Sequence, residues 1–219
     1  ADMGSGTGIF SEQLLDAGFR VIGVEPNADM REQAERALDG REGYRSVCGT
    51  ADATGLPDAS VDCVTAAQAF HWFDAGEFKQ ECRRILKPGG IVAIVYNMRD
   101  VESPYMQAFA QLARRFCPTF KGFSNGLDES TLPAFFDSPC DVKWWDNPQL
   151  LTRETFVARA LSSSRAPRKG DANYPRYLEE LDALFDQFAE ERQTESGPQK
   201  LLSYSLRTTL HVGRADGGF

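Results

Sequence analysis

Three groups of residues combine side-chain type and spacing in a way that could do chemistry. The first is Asp2-Met3-Gly4-Ser5-Gly6-Thr7-Gly8. Glycines reach positive φ and let a ligand come close to the main chain. The turn feeds a helical segment from Ile9, whose free N–H groups can face a polar ligand. Its G-x-G-x-G spacing differs from the G-x-G-x-x-G of nicotinamide and flavin sites, and it lacks the Gly-Lys-Ser/Thr ending of nucleoside triphosphatases. The second is Glu25, 17 residues after Gly8 at the end of the next strand-like run. A carboxylate there can accept two hydrogen bonds from the cis-diol of a ribose. The third is Asp52, in Gly49-Thr50-Ala51-Asp52-Ala53, which can accept from an exocyclic adenine amino group. Each has a bland alternative, a ligand-free tight turn or a solvated acid at a strand end. Together they indicate a ligand containing adenosine.

The elements that must position these residues alternate. Residues 20–25 (RVIGVE) read as a strand, and residues 27–38 as a helix with Asn27 as N-cap. Residues 44–48 and 61–65 read as strands. Residues 75–86 read as an amphipathic helix stopped by Lys87-Pro88-Gly89-Gly90, and residues 91–96 (IVAIVY) as a strand buried on both faces. Such alternation predicts a doubly wound α/β domain with a parallel sheet and helices on both sides. Only Ala1-Asp2-Met3 precede the glycine turn, whereas such a turn follows a central strand. The first strand is therefore expected to be largely missing from the chain, with the natural protein continuing upstream. Residues 1–103 are read as the core, 104–192 as a mainly helical cap with a strand near 142–147, and 193–219 as a terminal strand returning to the core sheet. Within the cap, Thr152 and Pro175 mark helix starts, and Leu178, Leu181, Leu184, Phe185 and Phe188 form an apolar stripe. Phe116, Phe120, Phe123, Phe135 and Phe136 read as cap core.

The ordered pieces DMGSGTG, VIGVEPNADM, GTADATGLPDASVDCV, AFHWFD and RILKPGGIVAIVY span nearly all of residues 2–96. In that order and spacing they resemble the class I S-adenosylmethionine-dependent methyltransferases. Gln68-Ala69-Phe70-His71-Trp72-Phe73-Asp74, with residues 161–164 (LSSS) and YSLRTTLHVGRA, is similar to the small-molecule group of the trans-aconitate methyltransferase type. The resemblance implies a Rossmann-like, mostly parallel seven-stranded sheet whose last strand, over residues 201–212, is antiparallel. It implies that Gly4, Ser5, Gly6 and Gly8 line the methionine part of S-adenosyl-L-methionine, with Asp2 anchoring the loop or the amino group. Glu25 would hold the ribose, with Pro26, Asn27 and Met30 beside the adenine, and Ala51 and Asp52 at the adenine edge. Gln68 and Ala69 would lie near the transferable methyl.

His71 is the candidate base, with a wall of the pocket as its equal alternative. His71, Trp72 and Tyr96 are expected to form the substrate-pocket floor. Arg99 and Arg165 are candidates to pair with a substrate carboxylate; each is also readable as a surface charge. The cap is expected to exclude water from the methyl end. The expected reaction is methyl transfer to a small soluble acceptor, a carboxylate or a hydroxyl. The alternative is a cofactor-binding regulatory protein or a protein-directed methyltransferase. No Asn/Asp-Pro-Pro-aromatic segment follows the fourth strand, which disfavours amino-methylation of nucleic acid or glutamine. The glycine spacing disfavours a dehydrogenase.

Bulk properties narrow the partners. The 219 residues carry a net charge of −8, which argues against a surface spread over nucleic acid phosphates. No run approaches the roughly 20 apolar residues of a membrane span, so no membrane partner is expected. The five scattered cysteines and two histidines (His71 and His211) lack metal-site spacing, so no metal is expected. The cysteines read as buried small hydrophobes, and a reducing cytoplasm is the expected compartment. A monomer or homodimer is expected. S-adenosylmethionine and its demethylated product should bind in the micromolar range without competition from NADH. Calorimetry that finds NADH displacing either one would contradict this reading.

Overall fold

The structure, a computed structural model, describes residues 1–123, 127, 129–137, 139–163 and 165–214. Ser164, within the segment 161–164 used above, lies outside the described residues, as does the stretch 215–219. Strands and helices alternate from the start: β1 (Asp2–Met3), α1 (Ile9–Asp16), β2 (Val21–Val24), α2 (Ala28–Ala37), β3 (Tyr44–Val47), β4 (Val61–Ala67), α3 (Ala75–Ile85) and β5 (Leu86–Arg99). Then follow α4 (Pro104–Phe116), α5 (Leu132–Phe135), β6 (Asp141–Asp146), β7 (Gln149–Leu151), α6 (Arg153–Leu161), α7 (Tyr174–Phe188), β8 (Ala189–Thr194), β9 (Gly197–Tyr204) and β10 (Leu206–Gly213). Seven strands form one sheet in the order β3-β2-β1-β4-β5-β10-β6, mostly parallel with one antiparallel strand. That strand is β10. From Asp100, just past β5, back through Asn97 to Tyr96, the partners run forward from Ser205, just before β10, through Thr208 to Thr209. A second sheet has the order β7-β9-β8.

Contacts divide the chain into two compact units: Ala1–Tyr96 with Gly126–Trp144 and Thr209–Phe219, and Asn97–Asn125 with Trp145–Thr208. In the first, β1 is short but central. Asp2 pairs with Gly23 on β2 and Thr65 on β4, and Met3 is wholly buried. Local signals start the helices as expected. Asn27 Oδ1 accepts from the Met30 N–H (3.1 Å), and Asp74 accepts from the Gly76 and Glu77 N–H groups (2.9 and 3.0 Å). The second unit packs α4, α6 and α7 with the small sheet around Met106, Phe156, Leu181 and Leu202. The expected stripe on α7 is its contribution.

Several sequence expectations need correction. Lys87-Pro88-Gly89-Gly90 does more than stop α3: β5 already begins at Leu86, which pairs with Val61. Pairing then resumes at Ile91 with Cys63, so the four residues bulge out of the register. Along residues 91–96 only Val92, Ile94 and Tyr96 are fully buried, so one face is covered more completely than the other. The single terminal strand over 201–212 is two strands parted at Ser205. Its first half joins β8 in an antiparallel hairpin turned at Gly197, whose φ is +103°. Glu190, Glu191 and Arg192 on β8 are exposed and show no apolar alternation, which hid that strand. The strand near 142–147 is the edge of the seven-stranded sheet. Phe135 and Phe136 are core rings of the first unit: Phe135 stacks on Phe78 at 5.4 Å and meets Phe70 edge-on at 5.1 Å. Ring partners brought together by the fold decided this, and no local pattern announces them.

A buried carboxylate paired with a partly exposed arginine fixes the loop after β3. The Glu81 carboxylate on α3 accepts from the Thr54 N–H (2.9 Å), the Thr54 hydroxyl, and the Arg84 Nε and Nη2 (2.8 and 2.7 Å). The Arg84 hydrogen bonds, followed by those from Thr54, hold its pKa at about 2, against 4.5 in an unfolded chain. A depressed carboxylate pKa stabilises the fold above about pH 4.5, and that contribution drains away as pH falls toward 2. Glu81→Gln should therefore lower unfolding stability at pH 7 by up to about 3 kcal/mol. Urea unfolding should show the gap to wild type shrinking steadily below pH 4.5; a gap independent of pH would contradict the assignment.

Candidate active site

The glycine turn joins β1 to α1 across the carboxyl ends of the sheet strands. The Gly4 and Ser5 N–H groups both donate to the Val24 carbonyl (2.9 and 3.2 Å), tying the turn to β2. Gly4, Gly6 and Gly8 have φ of +64°, +56° and +86°, a region that favours glycine. Their surroundings differ. A Cβ on Gly4 would come within 2.8 Å of the Ala69 Cβ, and one on Gly8 within 3.1 Å of Ala34 and Leu38. A Cβ on Gly6 would meet nothing closer than the Gly4 carbonyl at 4.0 Å. Gly4 and Gly8 thus allow close packing, while Gly6 faces open space.

Two carboxylates hold the turn. Asp2 is buried, and its two oxygens accept from the Ser11 hydroxyl (2.7 Å) and the Thr65 hydroxyl (2.9 Å). Burial pushes its carboxyl above the usual range, with both hydroxyls opposing. These contacts tie the strand before the turn to α1 and β4. Glu25 is 7% exposed; Oε2 accepts from the Gly6 N–H (3.0 Å) and Oε1 from the Asn27 N–H (2.9 Å). Each oxygen retains a second lone pair. Arg31, which sequence reading passed over, donates from Nη1 to the Glu25 and Pro26 carbonyls at 3.0 Å. Pro26, Asn27 and Met30 are exposed beside it, as is Asp52, while Ala51 is buried.

After β4 the backbone is strained. Gln68 has φ of +57°, rare for a residue with a side chain, and its N–H donates to the Val95 carbonyl (2.9 Å). This conformation brings Ala69 against Gly4. His71 and Trp72 follow in a short 3₁₀ turn and are exposed. Tyr96, fully buried on β5, sends its hydroxyl to His71: the oxygen lies 3.0 Å from the His71 backbone nitrogen and 2.8 Å from Nδ1. Burial raises the Tyr96 pKa, so the phenol stays protonated at neutral pH.

Arg99 and Arg165 lie together in the second unit, lining a cavity of about 520 Å³. Arg159 on α6 lines it as well and was missed, because an arginine on a helix reads like any solvated charge. His71, Trp72 and Tyr96 do not line this cavity. Residues 1–94 match the methyltransferase domain family.

The chain's seven-stranded, mostly parallel sheet is that of the Rossmann-like methyltransferase structures it superposes on. An uncharacterised methyltransferase of Mycobacterium tuberculosis is 34% identical over 52% of this chain and 46% of its own length. One from Schizosaccharomyces pombe is 31% identical over 52% and 44%. The chain spans about half the length of the curated relatives it matches. Among solved structures, a candidate type II methyltransferase from Anaeromyxobacter dehalogenans superposes with a TM-score of 0.65 at 25% identity, covering 98% of this chain and 88% of its own.

The residues present fit S-adenosylmethionine, the methyl donor that the resemblance implies. The turn leaves open space at Gly6, and the Glu25 carboxylate keeps lone pairs for ribose hydroxyls. Removing a charge-assisted acceptor costs about 1.5–3 kcal/mol, or roughly 10- to 150-fold in affinity. Glu25→Ala should weaken S-adenosylmethionine binding by that factor in calorimetry, with far-ultraviolet circular dichroism unchanged. An unaltered affinity would mean that the ribose is held elsewhere.

Proposed function

We propose that the protein methylates a small soluble acid on a carboxylate oxygen, using S-adenosylmethionine. In this reading residues 4–8 receive the methionine part of the donor, Glu25 the ribose, and Ala51 and Asp52 the adenine edge. Pro26, Asn27 and Met30 flank the adenine, and Gln68 and Ala69 lie near the transferred methyl. When bound, the cofactor supplies an electrophilic methyl on a sulfonium sulfur. The chain's own task is to hold an oxygen nucleophile in line and keep water away.

The single observation that favours a carboxylate over a hydroxyl is the bond between Tyr96 and His71. The buried phenol oxygen accepts the His71 N–H, and its own proton needs an acceptor. Nδ1 at 2.8 Å is the acceptor available. A neutral imidazole that accepts at Nδ1 carries its proton at Nε2. His71 is then a donor toward a substrate oxygen, with no basic nitrogen left to take a hydroxyl proton. A carboxylate needs no base, since it arrives ionised above about pH 4. Tyr96 acts through His71 as a positioning residue.

The experiment is transfer of labelled methyl to a panel of matched acids and alcohols, with alkali-labile ester as the expected product. General-base catalysis contributes about 10²–10⁴-fold. Loss of a positioning donor is expected to cost less, so His71→Ala should lower kcat by no more than about tenfold, roughly 1.4 kcal/mol. The rate should show no limb that rises with pH and depends on His71. Label transferred to alcohols, with a limb rising with pH that His71→Ala removes, would overturn the carboxylate reading.

A further inference from the structure

The end of β2 is held by a cation in a place where a helix by itself would not put one. Arg31 is half-buried in the first turn of α2, where the helix dipole and free N–H groups favour acids such as Asp29. Glu35, four residues on, stands at the spacing of a helical ion pair. The pair described on this helix is instead Arg36 with Glu32, 3.9 Å apart. Arg31 turns toward β2. One guanidinium nitrogen, Nη1, donates to both the Glu25 and the Pro26 carbonyls, each at 3.0 Å.

Those carbonyls mark where the chain leaves the sheet. The Glu25 N–H still belongs to the ladder and donates to the Val47 carbonyl (3.1 Å). The Asn27 carbonyl already accepts the first helical bond, from the Arg31 N–H (3.0 Å). Between ladder and helix, two carbonyl dipoles that would repel one another converge on a single positive charge. That convergence sets the two peptide planes that follow Glu25 and Pro26, while the proline ring fixes the φ between them.

The second of these planes is gripped at both ends. The peptide joining Pro26 to Asn27 gives its carbonyl to Arg31 and its N–H to Glu25 Oε1 (2.9 Å). A carbonyl facing a cation polarises its peptide group, which makes the N–H a better donor. The other oxygen of Glu25 takes the Gly6 N–H (3.0 Å). Arg31 is thus linked to the carboxylate through one peptide group.

We infer that Arg31 is a positioning residue for the methyl donor: it holds the backbone from Glu25 to Asn27 so that the Glu25 carboxylate stays aimed at the ribose hydroxyls. The inference rests on the reading that Glu25 receives the ribose. Arg31 makes no contact with the donor in this arrangement. Its effect should therefore appear only with ligands that carry those hydroxyls.

The test is calorimetry on the full chain with S-adenosylhomocysteine, the demethylated product, and with its 2′,3′-dideoxy analogue. Wild type should prefer the ribose form by roughly 10- to 150-fold, as a charge-assisted hydrogen bond would give. Arg31→Ala should cut that preference at least about threefold, while the analogue keeps its affinity within about twofold. Arg31→Lys, whose ammonium can donate to both carbonyls, should restore part of the preference. In a Glu25→Ala background, Arg31→Ala should change the affinity by less than about twofold, because its route to the ligand is gone. Arg31→Gln gives the same comparison if Arg31→Ala does not fold. An equal loss for both ligands, or the same fold-change with and without Glu25, would overturn the proposal. A ribose preference that Glu25→Ala abolishes and Arg31→Ala leaves intact would defeat the proposal alone. Wild-type protein indifferent to the ribose hydroxyls would defeat the ribose reading, and the proposal with it.

Discussion

The site depends on one carboxylate. Glu25 stands where β2 ends and accepts two backbone N–H groups, Gly6 from the preceding turn and Asn27 from the entry to α2. The first bond spans 19 residues and the second only two. One side chain therefore fixes the glycine turn against the next strand and sets the start of the next helix. The turn alone would not hold: three of its residues adopt left-handed backbone, which glycine enters freely and leaves as freely. Backbone N–H groups donated to an ionised oxygen are strong bonds, and Asp2 clamps the other side through Ser11 and Thr65.

The same device recurs at the loop after β3, where Glu81 takes the Thr54 N–H and hydroxyl while pairing with Arg84. In the first unit, then, buried acids organise backbone, and each is satisfied within the protein. The second unit reverses the signs. Its cavity gathers guanidiniums whose described partners are hydroxyl, amide and ring faces, and a tyrosine hydroxyl without a partner among the described residues.

What the sequence determined by itself was local. The glycine spacing, the acid at the next strand's end, the helix caps at Asn27 and Thr152, and the order of strands and helices through residue 96 all rest on interactions spanning a few residues. The expected doubly wound sheet follows from that order, because alternating elements leave few other ways to bury both faces. Phe116 and the α7 stripe were legible for the same reason, since an apolar face repeats with the helix period.

Tertiary structure decided whatever depends on partners far apart in the chain. Phe135 belongs with Phe70 and Phe78 because three separate segments meet there. The terminal segment breaks at Ser205 because its first half finds β8 and its second half finds β5. Nothing in the sequence around His71 announces Tyr96, 25 residues away, whose hydroxyl lies 2.8 Å from Nδ1. Arg159 looked like any surface charge until the fold set it beside Arg99, Arg165 and Tyr105 on one cavity. A side chain's chemistry is set by its neighbours' charge and hydrogen-bonding capacity, and sequence distance does not encode which neighbours those are.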